Sequence, residues 1–350
     1  MDFKFSLPEN RIFYLDQLRV LAIIMVIMVH VSTLFFKDIS SFNGFLASMA
    51  RTVSHAIGVP LFFMVSGVLL LGRDYKITGF LKKRFTRVLI PFIFWMAAFI
   101  IGVIIIKNPT QPLELAKQIV LAKGIGNYFW FIYALLGCYL IIPIINPFIE
   151  KYKLKGVEYF LILYIISTIC LSLSLDFNYL LNYFLPPFGF LVLGYYLHKK
   201  EFSLSRERLC IIGLIMAIVP LVYSIYSIYA QSVIADSFLQ YDYYHIFNII
   251  IASGIFIFFK NFSLSENKTI SKIYSFFKDT LLGKLTLSAS ICSFGIYLVH
   301  MFLVNGIKSL DLNMGSKWIP VVVIFIFLFS WLGIFIMSKI PLLKELSGVK

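Results

Sequence analysis

Charge is scarce in this chain: only 14% of its 350 residues are Asp, Glu, Lys or Arg, while 60% are hydrophobic. A soluble domain needs roughly a quarter of its residues charged to cover its surface, so that class is excluded and an integral membrane protein remains. Cysteine is also sparse. Cys138, Cys170, Cys210 and Cys292 each sit inside an apolar run with no paired spacing, which leaves neither a zinc site nor a redox pair. No internal repeat and no low-complexity tract is visible, and no segment before residue 15 or after residue 338 has room for a soluble domain. The first apolar run lacks a small-residue cleavage site, continues through Phe36 and carries Asp16 and Arg19 at its start. It is therefore retained as a spanning helix and not read as a signal peptide.

What is present is one apolar run after another. A span takes about 20 mainly apolar residues, and by that measure the sequence predicts about ten: residues 15–36, 52–72, 88–106, 128–148, 157–175, 179–198, 210–230, 244–260, 287–307 and 317–338. The expected architecture is all-α, a polytopic helical bundle in the membrane. The formal net charge of +14 invites a nucleic-acid reading. Multi-pass proteins collect cations on the cytoplasmic side, however, and that accounts for the excess with no nucleic-acid partner. With both termini in the cytoplasm, the outer segments hold only Lys37, Arg51, Lys107, Lys117, Lys123, Lys308 and Lys317. Arg19 lies within the first span, and all the other lysines and arginines fall inside.

Two polar groups interrupt the first span, in "RVLAIIMVIMVH", Arg19 to His30. Eleven residues of α-helix advance about 16 Å and turn through three revolutions plus roughly 20°, so both side chains share one face. In the orientation above, Arg19 lies about one turn in from the cytoplasm and His30 in the outer half. Intramembrane ionisable groups are costly and usually functional. Taken singly, each has a structural reading: an arginine near a boundary snorkels to headgroups, and a histidine hydrogen-bonds across a helix interface. Asp16, three residues before Arg19, is placed to pair with it.

Further along, "VPLFFMVSG" (Val59 to Gly67) precedes a basic stretch, "FLKKRFTRVLIP" (Phe80 to Pro91), in which Arg84 and Arg87 stand three apart and can face one anionic group. Ser66 and Gly67 fall near the cytoplasmic end of their span, where small residues favour close packing. His300 lies about 20 Å along the ninth span from residue 287, at a depth comparable with His30. Trp130, with Tyr128 and Phe129, forms an aromatic cluster near the outer surface, where membrane interfaces collect such rings.

Together, "YLDQLRVLAIIMVIMVH", "VPLFFMVSG", "RFTR", "YFWFIYALLGCYL" and "SFGIYLVH" resemble the acyltransferase-3 family of membrane O-acyltransferases, in order and from the first span to the ninth. Arg19 and His30 match its arginine and histidine with ten residues between, and Arg84 and Arg87 match its arginine pair. The pattern is similar to the stand-alone type that includes the enterobacterial common antigen O-acetyltransferase. Many relatives carry an acidic residue before the paired phenylalanines of the second span, where this chain has Val59, Pro60 and Leu61.

The resemblance implies a single transmembrane acyltransferase domain over residues 1–350 in the plasma (inner) membrane. It also implies an acyl-CoA donor, most often acetyl-CoA, on the cytoplasmic side, a hydroxyl of a cell-surface polysaccharide or lipid-linked glycan as acceptor, and no metal. On that reading His30 is the catalytic base, or carries the acyl group outward as an acyl-imidazole, with His300 polarising it or binding the acceptor. Asp16 holds Arg19, and Arg84, Arg87, Arg19 and Ser66 serve the donor, its pantetheine arm running up the Arg19–His30 face. The rival reading is a transporter or flippase of a lipid-linked saccharide with Arg19 and His30 lining its path. A silent partner in a glycan assembly complex would leave His30 without a purpose.

Overall fold

A computed structural model of the chain describes residues 11–35, 41–173, 186–234, 245–310 and 314–349. Lys4, Lys37 and Lys350, the end of the first predicted span, the break between the fifth and sixth, and the start of the eighth lie outside the described residues. Every described regular element is helical: α1 (Phe13–Ser32), α2 (Phe42–Leu70), α3 (Ile77–Lys107), α4 (Pro112–Val120), α5 (Trp130–Ser172), α6 (Pro186–Lys199), α7 (Arg206–Ile234), α8 (Ile246–Ser263), α9 (Lys268–Asp279), α10 (Leu281–Ser309), α11 (Ile319–Lys339) and α12 (Pro341–Lys344), with short 3-10 turns at Thr33–Phe35, Gly124–Phe129 and Ser316–Trp318. Eight stretches of the described residues are long and apolar enough to cross a membrane. One of them, Pro112–Cys170, contains two predicted spans, because α5 breaks where Lys153 takes a left-handed φ of 52°.

The helices begin and end where local chemistry dictates. Ser41 caps α2 by accepting from the Gly44 amide at 3.0 Å, Asn267 caps α9 by accepting from the amides of Thr269 and Ile270, and Asn108 ends α3 in the left-handed conformation that asparagine tolerates. Pro60, Pro91 and Pro220 sit inside α2, α3 and α7, which a protein-packed bundle tolerates.

The two helices that carry the sequence motifs lie at the centre. α1 packs along α2 and against α10; α2 also packs against α6, and α11 closes over α1 and α10. α3 and α7 expose most of their surface, as lipid-facing helices do. The α2–α6 contact is backbone to backbone: a Cβ on Gly67 would stand 1.7 Å from the Leu191 carbonyl oxygen, and one on Gly194 would stand 2.1 Å from that of Met64. Small residues let membrane helices approach this closely.

At the end of the bundle where α6 stops and α7 begins, polar contacts join these helices. Lys260, counted from the sequence as a topological charge, is buried, and its ammonium donates to the carbonyls of Leu197, His198 and Lys200 at 3.0, 2.8 and 2.9 Å, capping the C-terminus of α6. The Tyr14 hydroxyl meets His198 Nδ1 at 2.7 Å. Two amphipathic helices too short for a 20-residue ruler escaped the sequence reading, α4 and α9. Tyr274 of α9 packs on Phe13 and Phe262, and burial pushes its hydroxyl up to about 12.

Candidate active site

Arg19 and His30 both stay partly exposed on α1, while Ile23 and Val26, on the stripe between them, are buried. A Cβ on Gly58 of α2 would stand 3.1 Å from the Val26 backbone nitrogen, so α2 covers the stripe at that point. The expected course of a pantetheine arm along the Arg19–His30 face therefore passes under α2 at Gly58. Of the two residues, His30 lines a pocket, and Arg19 lies towards the arginine pair.

The outer pocket is built on His30. Val26, Val29, Val59, Tyr128, Trp130, Phe131 and Tyr297 line it with the imidazole, and its free volume is about 10 Å³, barely the room of one water. His300 comes from α10 and is fully buried; its ring centroid lies 5.3 Å from that of His30. His300 Nδ1 lies 2.6 Å from the carbonyl oxygen of Tyr297. A carbonyl only accepts, so Nδ1 carries the proton in the neutral ring and Nε2 presents a lone pair. That Nε2 is buried, with no hydrogen-bond partner among the described residues. The Tyr297 hydroxyl donates to the Tyr128 carbonyl, which ties α10 to the Gly124–Phe129 turn, and Tyr128 packs edge-on to both imidazoles. Arg51 and His55 of α2 lie within electrostatic range of His30.

Arginines gather at the other end. Arg19, Arg84 and Arg87 all lie within electrostatic range of Tyr139, a buried residue of α5 inside the "YALLGCYL" run. Asp16 is buried too, but Arg19 is its distant partner at 3.9 Å. Arg11 grips the carboxylate with Nε and Nη2 at 2.8 and 2.7 Å, and the Ser290 hydroxyl donates to it at 2.6 Å. The sequence reading assigned Asp16 to Arg19 and missed both nearer partners. Ser66 spends its hydroxyl on the Phe62 carbonyl of its own helix, 2.8 Å away, and no described hydrogen bond or ion pair joins it to an arginine.

The structure thus brings His30 together with His300, and Arg19 with Arg84 and Arg87, and among the described residues no hydrogen bond or ion pair links any of these to Ser66. Tyr297 was legible in principle, since it stands three residues before His300 on the same helix face. Arg51 and Tyr139 carry no sequence signal beyond their residue type.

A polytopic helical bundle with paired imidazoles enclosed near one surface and clustered guanidiniums near the other has the makings of a group-transfer enzyme of the membrane. The family model Acyl_transf_3, described as an acyltransferase domain, matches residues 12–338. The chain belongs to the acyltransferase-3 family and is a multi-pass membrane acyltransferase. No curated protein and no solved structure matches it.

Proposed function

We propose that this protein moves an acyl group, acetyl in the first instance, from acyl-CoA at the cytoplasmic face of the plasma (inner) membrane to a hydroxyl of a cell-surface polysaccharide or its lipid-linked precursor. The observation that carries this reading is the His30–His300 pair beside an aromatic-lined pocket. A sugar hydroxyl is a poor nucleophile until its proton has an acceptor, and a neutral imidazole within reach supplies one. The acceptor oxygen attacks the thioester carbonyl, the carbon–oxygen bond forms, and the carbon–sulfur bond breaks. The proton taken by His30 then goes to the departing thiolate. His300, held as the Nδ1–H tautomer, offers Nε2 to an N–H of His30 after a small ring rotation, which leaves the other His30 nitrogen as the base. Arg84, Arg87 and Arg19 supply charge-assisted donors for the phosphates of the donor.

The decisive experiment incubates membranes containing the protein with radiolabelled acetyl-CoA. Envelope glycan should become labelled, and mild base should release the label as an ester does. Movement of unmodified glycan without labelling would instead establish the transporter reading. Replacing both Arg84 and Arg87 by Ala is expected to raise the apparent donor requirement about tenfold, roughly 1.4 kcal/mol. An unchanged dependence of rate on acyl-CoA would remove the phosphate clamp.

A further inference from the structure

The residues after α11 lie beyond the family match, which ends at 338, yet they are built into the bundle beside the arginine pair. Trp95 of α3 donates its indole N–H to the Leu346 carbonyl at 3.0 Å. Ser347 is fully buried, and its hydroxyl donates to the Lys344 carbonyl at 2.6 Å. Gly348 turns the chain at φ +71°, and Gly295 of α10 leaves the room that the Ser347 carbonyl occupies, since a Cβ there would stand 2.3 Å from its oxygen. Between this segment and α3 lies an open cleft of about 370 Å³, lined by Thr86, Arg87, Ile90, Lys344, Glu345, Gly348 and Val349.

Two cations therefore face one cleft from different elements. Among the described residues, neither Arg87 nor Lys344 has an acidic partner within ion-pair distance, although Glu345 lines the same space. Arg84 and Arg19 both lie within electrostatic range of Arg87, so the field at the cleft is positive despite the carboxylate. A planar guanidinium opposite a flexible ammonium suits a phosphate, and a neighbouring carboxylate suits hydroxyl or amino groups attached to the same ligand. The cleft is too small for a whole acyl-CoA and large enough for its phosphorylated ribose end.

We infer that the cleft between α3 and the C-terminal segment is a phosphate site in which Lys344 is the second cation beside Arg87, holding the ribose phosphate of the donor while Arg19, deeper in the bundle, meets its pyrophosphate. This rests on the proposed reading of Arg87 as a donor contact. The cleft also borders the exposed side of α3, where Ile90 and Ile93 face outward, so a phospholipid headgroup is the other source of the same chemistry.

The test uses the full chain in nanodiscs of neutral phosphatidylcholine and titrates coenzyme A and its analogue lacking the ribose phosphate. Lys344→Gln should weaken coenzyme A binding about fivefold, the scale of an exposed charge contact, while leaving the affinity for the analogue within twofold. Added salt should shrink the difference. A second arm measures retention of phosphatidylglycerol: loss of that lipid in Lys344→Gln with unchanged coenzyme A affinity supports the phosphate site and assigns it to a headgroup. Unchanged binding of both overturns the inference. Arg87→Gln separates the two levels, because a weakened Arg87 variant beside an unaffected Lys344 variant sinks only this site, whereas two unaffected variants also remove the donor clamp.

Discussion

His30→Ala is expected to lower the rate of acyl transfer by about 10² to 10⁴, the span over which a positioned general base contributes, while the purified protein keeps its melting temperature and its affinity for the donor. The expectation follows from position. His30 borders the outer pocket, whereas His300 is sealed behind it with Nδ1 committed to the Tyr297 carbonyl. His300→Asn should cost less in rate and should also move the pH dependence of turnover, which a merely packing role for that ring would leave in place. Full activity in purified His30→Ala would refute the assignment of the base.

The second large effect concerns folding. Asp16→Ala removes a buried carboxylate that holds Arg11 through two hydrogen bonds and Ser290 through a third, and leaves those groups and Arg19 without their anion. Breaking a buried pair from one side costs about 3 to 5 kcal/mol, and the lower figure applies because Arg11 keeps some contact with solvent. Thermal unfolding of the purified protein, followed by loss of the monodisperse species, should show a clear drop. Asp16→Asn, which still accepts from Ser290, should fall between the variant and the native chain. An unchanged melting temperature in Asp16→Ala would mean that the contact between α1 and α10 does not depend on this carboxylate.

Much of the bundle was legible because a bilayer imposes a length and an apolar character on what crosses it, and the spacing of Arg19 and His30 on α1 follows from helical geometry alone. The missing parts have physical causes. α4 and α9 run along their neighbours with one apolar face and are shorter than a span. Lys260 looked like one more loop cation because only the fold places the end of α6 against its ammonium. Within the site, residue type and depth put His300 near His30, but the tautomer came from a carbonyl one turn away on its own helix. Arg11 precedes α1 and belongs to no motif, so its grip on Asp16 was invisible.

The tightness of the chamber around His30 carries a kinetic consequence. With space for scarcely a solvent molecule at rest, turnover must include a breathing motion of the Gly124–Phe129 turn against α1 and α10 before two substrates fit. With the thioester donor proposed above, the same tightness would guard it from hydrolysis between cycles. A cross-link that fastened this turn to α10 would then silence the enzyme with every reactive group still in place.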